Sequence, residues 1–164
     1  FTISMRDCVQ PINATSQPGT DPAMSPSISG TMKLASLVTF PKHADPNGVL
    51  CVYESGKAVP FDIKRVFTIT ARANDVRGDH AHKRCSQLLV CLAGAILVSC
   101  DNGVAVTEFT LDNIGTGLLI PPGIWATQHY VEDNSVLMVL CDRGYEKDDY
   151  IRAREEFIAS ANRF

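Results

Sequence analysis

No run of apolar residues in this chain approaches the roughly 18 to 20 that a helix needs to cross a bilayer, and the N-terminus lacks the basic-then-apolar plan of a secretory signal. A soluble, cytoplasmic protein without a membrane partner is therefore expected. Charge of one sign is also lacking: 15 Lys and Arg stand against 18 Asp and Glu, a formal net charge of -3, and the basic residues are scattered. Nothing in that distribution resembles an electrostatic footprint for nucleic acid, so a small molecule or a protein is the expected partner. There is no CxxC pair and no Cys/His cluster at zinc spacing, which argues against a structural metal. Neither a dinucleotide-binding GxGxxG nor a phosphate-binding GxxxxGK is present.

What is present is enough for one ordinary domain, since 164 residues can bury one real core but not two. Residues 1–30 mix Pro, Ser, Thr and Gly with few regularly spaced apolar positions and read as a linker or flexible tail, leaving 31–164 as the globular domain. Because the chain opens on Phe1, it also reads as a fragment or processed form of something longer. The cysteines number six, but Cys91 and Cys141 lie in or beside apolar runs (LLVCLAG, LMVLCD), where a thiol usually acts as a small buried hydrophobe.

From Met32 onward short β-rich runs alternate with turn signals: MKLASLVTF, GVLCVYES, IKRVFTITA, SQLLVCL, AILVSC, VAVTEFTL, GLLI and SVLMVLC. DNG at 101–103 is a hairpin signal. Many short strands without interleaved helices predict an all-β antiparallel sandwich or barrel. Only the C-terminus reads as helix, with Asp148 or Asp149 as its cap and Ile151, Phe157 and Ile158 as its apolar stripe.

The chemistry-bearing segment is RGDHAHK, residues 77–83. On extended backbone His80 and His82 are two positions apart and project from one face, so both imidazoles reach one pocket. Such a pair suits either a metal or proton transfer. Gly78, the HxH pair, the polar Gln87 and Gly94 resemble the first motif of the cupin superfamily, and GTGLLIPPG (115–123) resembles the second. Where the metal-binding pattern wants Glu, however, the chain has Gln87, and where it wants the last His it has Ala126. His129 lies three residues beyond that place, on the opposite strand face. A site reduced in this way holds a divalent cation weakly, which leaves the imidazoles free for acid and base work.

Together VPFDIKRVF (59–67), RGDHAHK, QLLVCLAG (87–94), IPPGIWATQ around Trp125 and SVLMVLCDRGYEKDDYIRAREEF (135–157) resemble the dTDP-4-oxo-6-deoxyglucose 3,4-ketoisomerase family. The resemblance implies an antiparallel cupin-type jelly-roll barrel with a short C-terminal helix, a homodimer, and an isomerase that needs no cofactor or metal. Its substrate would be a dTDP-linked keto-sugar on the way to deoxyamino sugars. It implies His82 as the carbon acid/base, His80 as the second proton carrier, and Arg72 as a substrate-binding residue, with Arg65 and Arg77 as further candidates to grip the diphosphate. Gln87 and Trp125 are candidate substrate contacts, or else an interior amide and a core aromatic. Tyr150 and Arg152 are expected to anchor the C-terminal segment. Thr68 stands where relatives often carry an active-site tyrosine, which opens the question of product stereochemistry. A 3,5-epimerase, a metal-dependent cupin enzyme and a non-catalytic sugar-nucleotide binder remain the alternatives.

Overall fold

In a computed structural model, which describes residues 34–161, each of the eight β-rich runs contains a strand. The expected tail over residues 1–30 lies outside the described residues. The strands are β1 (Ser36–Thr39), β2 (Lys42–Asp45), β3 (Gly48–Cys51), β4 (Arg65–Ala71), β5 (Val76–His82), β6 (Gln87–Ala93), β7 (Ile96–Asp101), β8 (Val106–Leu111), β9 (Thr116–Ile120), β10 (Trp125–Tyr130), β11 (Ser135–Cys141) and β12 (Tyr150–Ile151). One sheet runs in the order β1-β9-β6-β11-β4 and the other β12-β5-β10-β7-β8, with all of these pairings antiparallel; β2 and β3 form a separate hairpin. These are the antiparallel sheets of the all-β sandwich or barrel that the strand pattern predicts.

Alternation decides what faces the interior. Along β4, Arg65, Phe67, Ile69 and Ala71 point inward and are half-buried, while Val66, Thr68 and Thr70 are exposed. The strands β6 and β11 read as nearly continuous apolar runs because both of their faces are covered. Their inner face joins Leu89, Cys91, Leu137 and Val139 to Ile96, Val98 and Leu111 of the opposite sheet. Their outer face, with Leu88, Val90 and Leu140, packs under Phe40, Val59, Tyr53, Phe61 and Ile63. The DNG hairpin forms as expected between β7 and β8: Asp101 accepts from the Gly103 N–H, and the Asn102 side chain accepts from Val104 and Ala105.

The strand that carries the histidines is bent by a bulge. Ala126 of β10 pairs with His80, but Thr127 pairs with Gly78, so Asp79 is the extra residue. Gly78 and Asp79 both take left-handed backbone, φ 77° and 57°. A Cβ on Gly78 would stand 2.8 Å from the Ala126 carbonyl oxygen, so this position admits only glycine without a shift.

The C-terminal helix is shorter than its sequence predicts. It spans Arg154–Ala161 (α1), and Ile151 belongs to β12 instead. Neither Asp148 nor Asp149 caps it, since both lie in a single 3-10 turn before β12. Ile158 is exposed, and only Phe157 of the expected stripe is buried on the helix. Phe157 joins Ala81, Trp125 and Ile151 in a small core behind the histidine strand. Phe157→Ala should destabilise the fold by about 3–5 kcal/mol, the cost of emptying a fully buried aromatic site, read as a lower midpoint in urea unfolding.

Candidate active site

His80 and His82 project into one end of the barrel, as their spacing predicts. Tyr150 pairs with His82 across β12, and its ring packs on both imidazoles, with centroids 5.0 Å from His80 and 4.3 Å from His82. Each histidine has its Nδ1 engaged. His80 Nδ1 stands 2.9 Å from the Gly78 carbonyl oxygen, which can only accept, so the ring donates there. His82 Nδ1 stands 2.8 Å from Asp149 Oδ2 in a buried contact. Both Nε2 atoms therefore turn toward the barrel interior and toward each other, 3.3 Å apart. Two nitrogen lone pairs at that distance form a hydrogen bond only when one proton lies between them. The pair is thus built to take up one proton and share it across two rings.

The electrostatics keep that proton mobile. Burial holds His80 below the ordinary imidazole value; the Gly78 carbonyl opposes this, the Arg152 charge adds to it, and Asp79 opposes it. Burial likewise lowers His82, against the pull of Asp149 and with the repulsion of His80 and Arg65. For Asp149 burial alone would favour the neutral acid, but bonds from His82, Cys85 and Arg84 outweigh it and hold the carboxyl below its usual range. Its Oδ1 accepts from the Arg84 N–H at 2.8 Å, and Oδ2 accepts from the Cys85 N–H at 3.2 Å as well as from His82. An ionised Asp149 fixes the His82 tautomer, with its proton on Nδ1 and its lone pair on Nε2.

A second set of groups lines the same end of the opposite sheet. Arg65, Gln87 and Cys141 sit side by side, since Cys141 pairs with Arg65 on one flank and Gln87 on the other. The Cys141 sulfur accepts from Arg65 Nη2 at 3.4 Å and from Gln87 Nε2 at 3.8 Å. The hydrogen bond with the Cys85 thiol lowers Cys141 most, burial raises it, and Arg65 and Gln87 complete a net fall to about 6. Cys85 is raised in turn, first by that same bond and then by burial. Cys141 is therefore buried, as its apolar run predicts, but it is not an inert hydrophobe. Arg65 lies over the Phe67 and Tyr145 rings, at 5.1 and 5.7 Å to their centroids, and its Nε is buried without a partner among the described residues.

The structure thus brings together His80, His82, Arg65 and Gln87. Ala126 lies directly opposite His80 and His129 is exposed on the other strand face, so neither supplies a third nitrogen to the pair. Arg77 shares the inward face through its pairing with Gln128, but it is exposed toward the far end of β5. Arg72 lies exposed in the β4–β5 turn, its backbone N–H held by Asp75. It stands about 23 Å along the chain direction from Arg65 at ~3.3 Å per strand residue. Thr68 points outward from β4, away from the histidines. Trp125 also faces the other side of its sheet; its indole packs at 5.5 Å on Phe157 and its N–H donates to Asp79 at 3.1 Å, the core-aromatic placement. Sequence reasoning did not find Asp149, which it read as a helix cap. The one signal was its place at the head of DYIR.

Comparison with known proteins matches this architecture. The family model described as FdtA: WxcM-like, C-terminal covers residues 33–162. The chain belongs to this family of 3,4-ketoisomerases, and it is an isomerase. It is 39% identical over 122 residues, 74% of its length and 88% of the relative's, to a TDP-4-oxo-6-deoxy-alpha-D-glucose-3,4-oxoisomerase from Aneurinibacillus thermoaerophilus. Among solved structures it resembles the sugar 3,4-ketoisomerase QdtA from Thermoanaerobacterium thermosaccharolyticum in complex with TDP, with 33% identity, a TM-score of 0.76, and coverage of 79% of this chain and 95% of that one. A 3,4-ketoisomerase from Helicobacter canadensis gives 29% identity, a TM-score of 0.75, and coverage of 78% and 97%. The cupin-type barrel expected from the sequence is thus the fold of the family.

Because burial depresses the two imidazoles, the native state resists protons that the unfolded chain accepts. Stability is present above pH ~6.5, the free imidazole value, and is lost as the pH falls through the lower native values. Replacing His80 with Asn should therefore flatten the decline in urea midpoint between pH ~6.5 and ~4.5 relative to the wild type.

Proposed function

We propose that the chain converts a dTDP-linked 4-keto-6-deoxyglucose to its 3-keto isomer through an enediol, with the His80–His82 pair moving the protons. The observation that carries this reading is the convergence of two Nε2 atoms at 3.3 Å, each on a ring whose Nδ1 is already tied. Moving a ketone from C4 to C3 requires three proton steps on adjacent atoms. A base takes the C3 proton as charge gathers on the C4 oxygen, the O3 hydroxyl proton is moved to O4 and stays there as the new hydroxyl, and C4 receives a proton as the ketone settles at C3. His82, oriented and made more basic by Asp149, is the carbon acid/base; His80 holds and returns the shared proton.

Arg65, beside Cys141 and Gln87 at that end of the barrel and with a buried Nε that has no partner among the described residues, is the group we assign to the developing enediolate or to the adjacent phosphate oxygens. Gln87 then orients a sugar hydroxyl. The exposed Arg77, on the strand of the histidines, is assigned to the diphosphate, and Arg72, about 23 Å along β4 from Arg65, to the more distant nucleoside end of the substrate. Thr68 and Trp125, on outward faces, enter this reading only as supports of the wall. No resident metal or other cofactor is required. We further propose that the protein works as a cytoplasmic homodimer whose product feeds deoxyamino-sugar synthesis. Val66 and Leu92, exposed apolar side chains on the outer face of one sheet, support a self-association face.

The direct test is incubation with dTDP-4-keto-6-deoxyglucose in deuterated, EDTA-containing buffer, followed by NMR. The wild type should yield a 3-keto sugar with deuterium at C4, and His82→Asn should abolish both isomerisation and exchange. Deuterium at C5 would instead indicate a 3,5-epimerase, chelator-sensitive turnover a metal enzyme, and tight binding without exchange a non-catalytic module. Asp149→Asn should lower kcat about a hundredfold or more while leaving KM within a small factor, because it disturbs the tautomer of the base rather than the substrate contacts.

A further inference from the structure

The His82 nitrogen that is tied to Asp149, rather than the one turned toward His80, sits in a second cluster of donor atoms. A ring nitrogen of His82, Cys85 Sγ and a carboxylate oxygen of Asp149 all lie within 4.8 Å of one another, all three residues are buried, and Nδ1 is the nitrogen in contact with Asp149. We propose that this cluster is a zinc-binding site and that filling it switches the isomerase off; the loss of activity, though not the site, rests on the function proposed above. This site is separate from the inward-facing one that cupin metals use, which would draw on the Nε2 atoms and lacks its further ligands at Gln87 and Ala126.

Four features support the assignment. One imidazole nitrogen, one thiolate sulfur and one carboxylate oxygen form a mixed donor set that zinc takes and that magnesium and calcium do not. Zinc with Cys85 thiolate and Asp149 carboxylate sums to zero charge, so the filled cluster is tolerable in a buried position. Tetrahedral zinc with bonds of ~2.0–2.3 Å needs ligand atoms about 3.3–3.6 Å apart. The 2.8 Å His82–Asp149 contact therefore has to open by about half an ångström, while the thiol already stands within the 4.8 Å limit. Finally, the outer support exists: Asp149 Oδ1 is held by the Arg84 N–H at 2.8 Å, and a water molecule would complete the tetrahedron.

The consequence for catalysis follows from the proton inventory. In the empty site His82 carries its proton on Nδ1 and its lone pair on Nε2. When zinc takes the Nδ1 lone pair, the ring proton moves to Nε2 and the Cys85 thiol loses its proton to solvent. No bond to carbon changes and nothing is oxidised or reduced. His82 is left with N–H where the reaction needs a base.

The test uses cobalt as a spectroscopic stand-in and zinc as the effector, both on the full chain freed of metal. Titration with Co²⁺ should give a one-equivalent thiolate-to-cobalt charge-transfer band with the visible bands of tetrahedral cobalt. Cys85→Ala, which keeps the backbone N–H that Asp149 accepts, should remove that band. Micromolar Zn²⁺ should abolish solvent deuterium exchange in the wild type and EDTA should restore it. Cys85→Ala should isomerise at the wild-type rate and need at least tenfold more zinc for the same inhibition. Cys85→Val, which refills the side-chain volume, serves if the alanine variant does not fold. His80→Asn should retain the cobalt band, since His80 is no ligand. A wild-type spectrum without the thiolate band, or the same band and the same zinc sensitivity after Cys85 is replaced, overturns the site. A band that depends on Cys85 in a protein that does not isomerise the sugar leaves the site standing and overturns the proposed function instead.

Discussion

The Asp149 carboxylate is the contact on which the site depends. Its two oxygens gather the imidazole of His82, the N–H groups of Arg84 and Cys85, and the Arg84 side chain. It thereby ties the end of β5, the turn that follows, and the start of β12 to one buried charge. A carboxylate in so dry a place costs several kcal/mol unless its lone pairs are filled, and four donors fill them. Because the bonds are directional, satisfying the charge also fixes the angle and tautomer of the His82 ring. The same economy explains the short β12: Tyr150 and Ile151 follow Asp149 directly, so anchoring the carboxylate lays Tyr150 over both imidazoles and drops Ile151 into the core behind them.

Most of the fold was legible because alternation and turn chemistry are local. The eight apolar runs contain strands, and the DNG turn joins β7 to β8 as its residues demand. The strands missed as runs are those with polar inner faces or little length: β2 (KHAD), β5 (VRGDHAH), β10 (WATQHY) and the two-residue β12. Polar residues at inward positions are what a site requires and what a hydrophobicity pattern cannot register. His80 and His82 were found because their chemistry is written in two adjacent alternating positions. Asp149 was not, because 67 residues separate it from His82 and nothing local marks which of the two aspartates in KDDY turns inward. The helix cap it was read as would have required the helix to begin before Ile151, and strand pairing with β5 claims that stretch instead.

The candidate contacts divide along the same line. Arg65 follows from strand parity once Phe67 and Ile69 are inside, since side chains two apart share a face. Thr68 and Trp125 fall on outer faces by that rule, whatever a resemblance suggests for them. Parity alone would have predicted the placement of Trp125 from Ala126, its neighbour opposite His80, had β10 been recognised as a strand.

The Nε2 and Nδ1 atoms therefore carry different chemistry on the same two rings. Toward the pocket, Ala126 and Gln87 deny the histidines the ligands a cation would need, and the two Nε2 atoms are left with only each other, Tyr150 and whatever enters. At the end of that strand, the backbone N–H groups of Arg84 and Cys85 that hold Asp149 bring a carboxylate and a thiol close to the ring. A ring used as a base must have its second nitrogen occupied by an acceptor, and in a dry interior the strongest acceptor is a carboxylate. A buried carboxylate that orients an imidazole beside a cysteine assembles, by that arrangement alone, most of a donor set that zinc accepts.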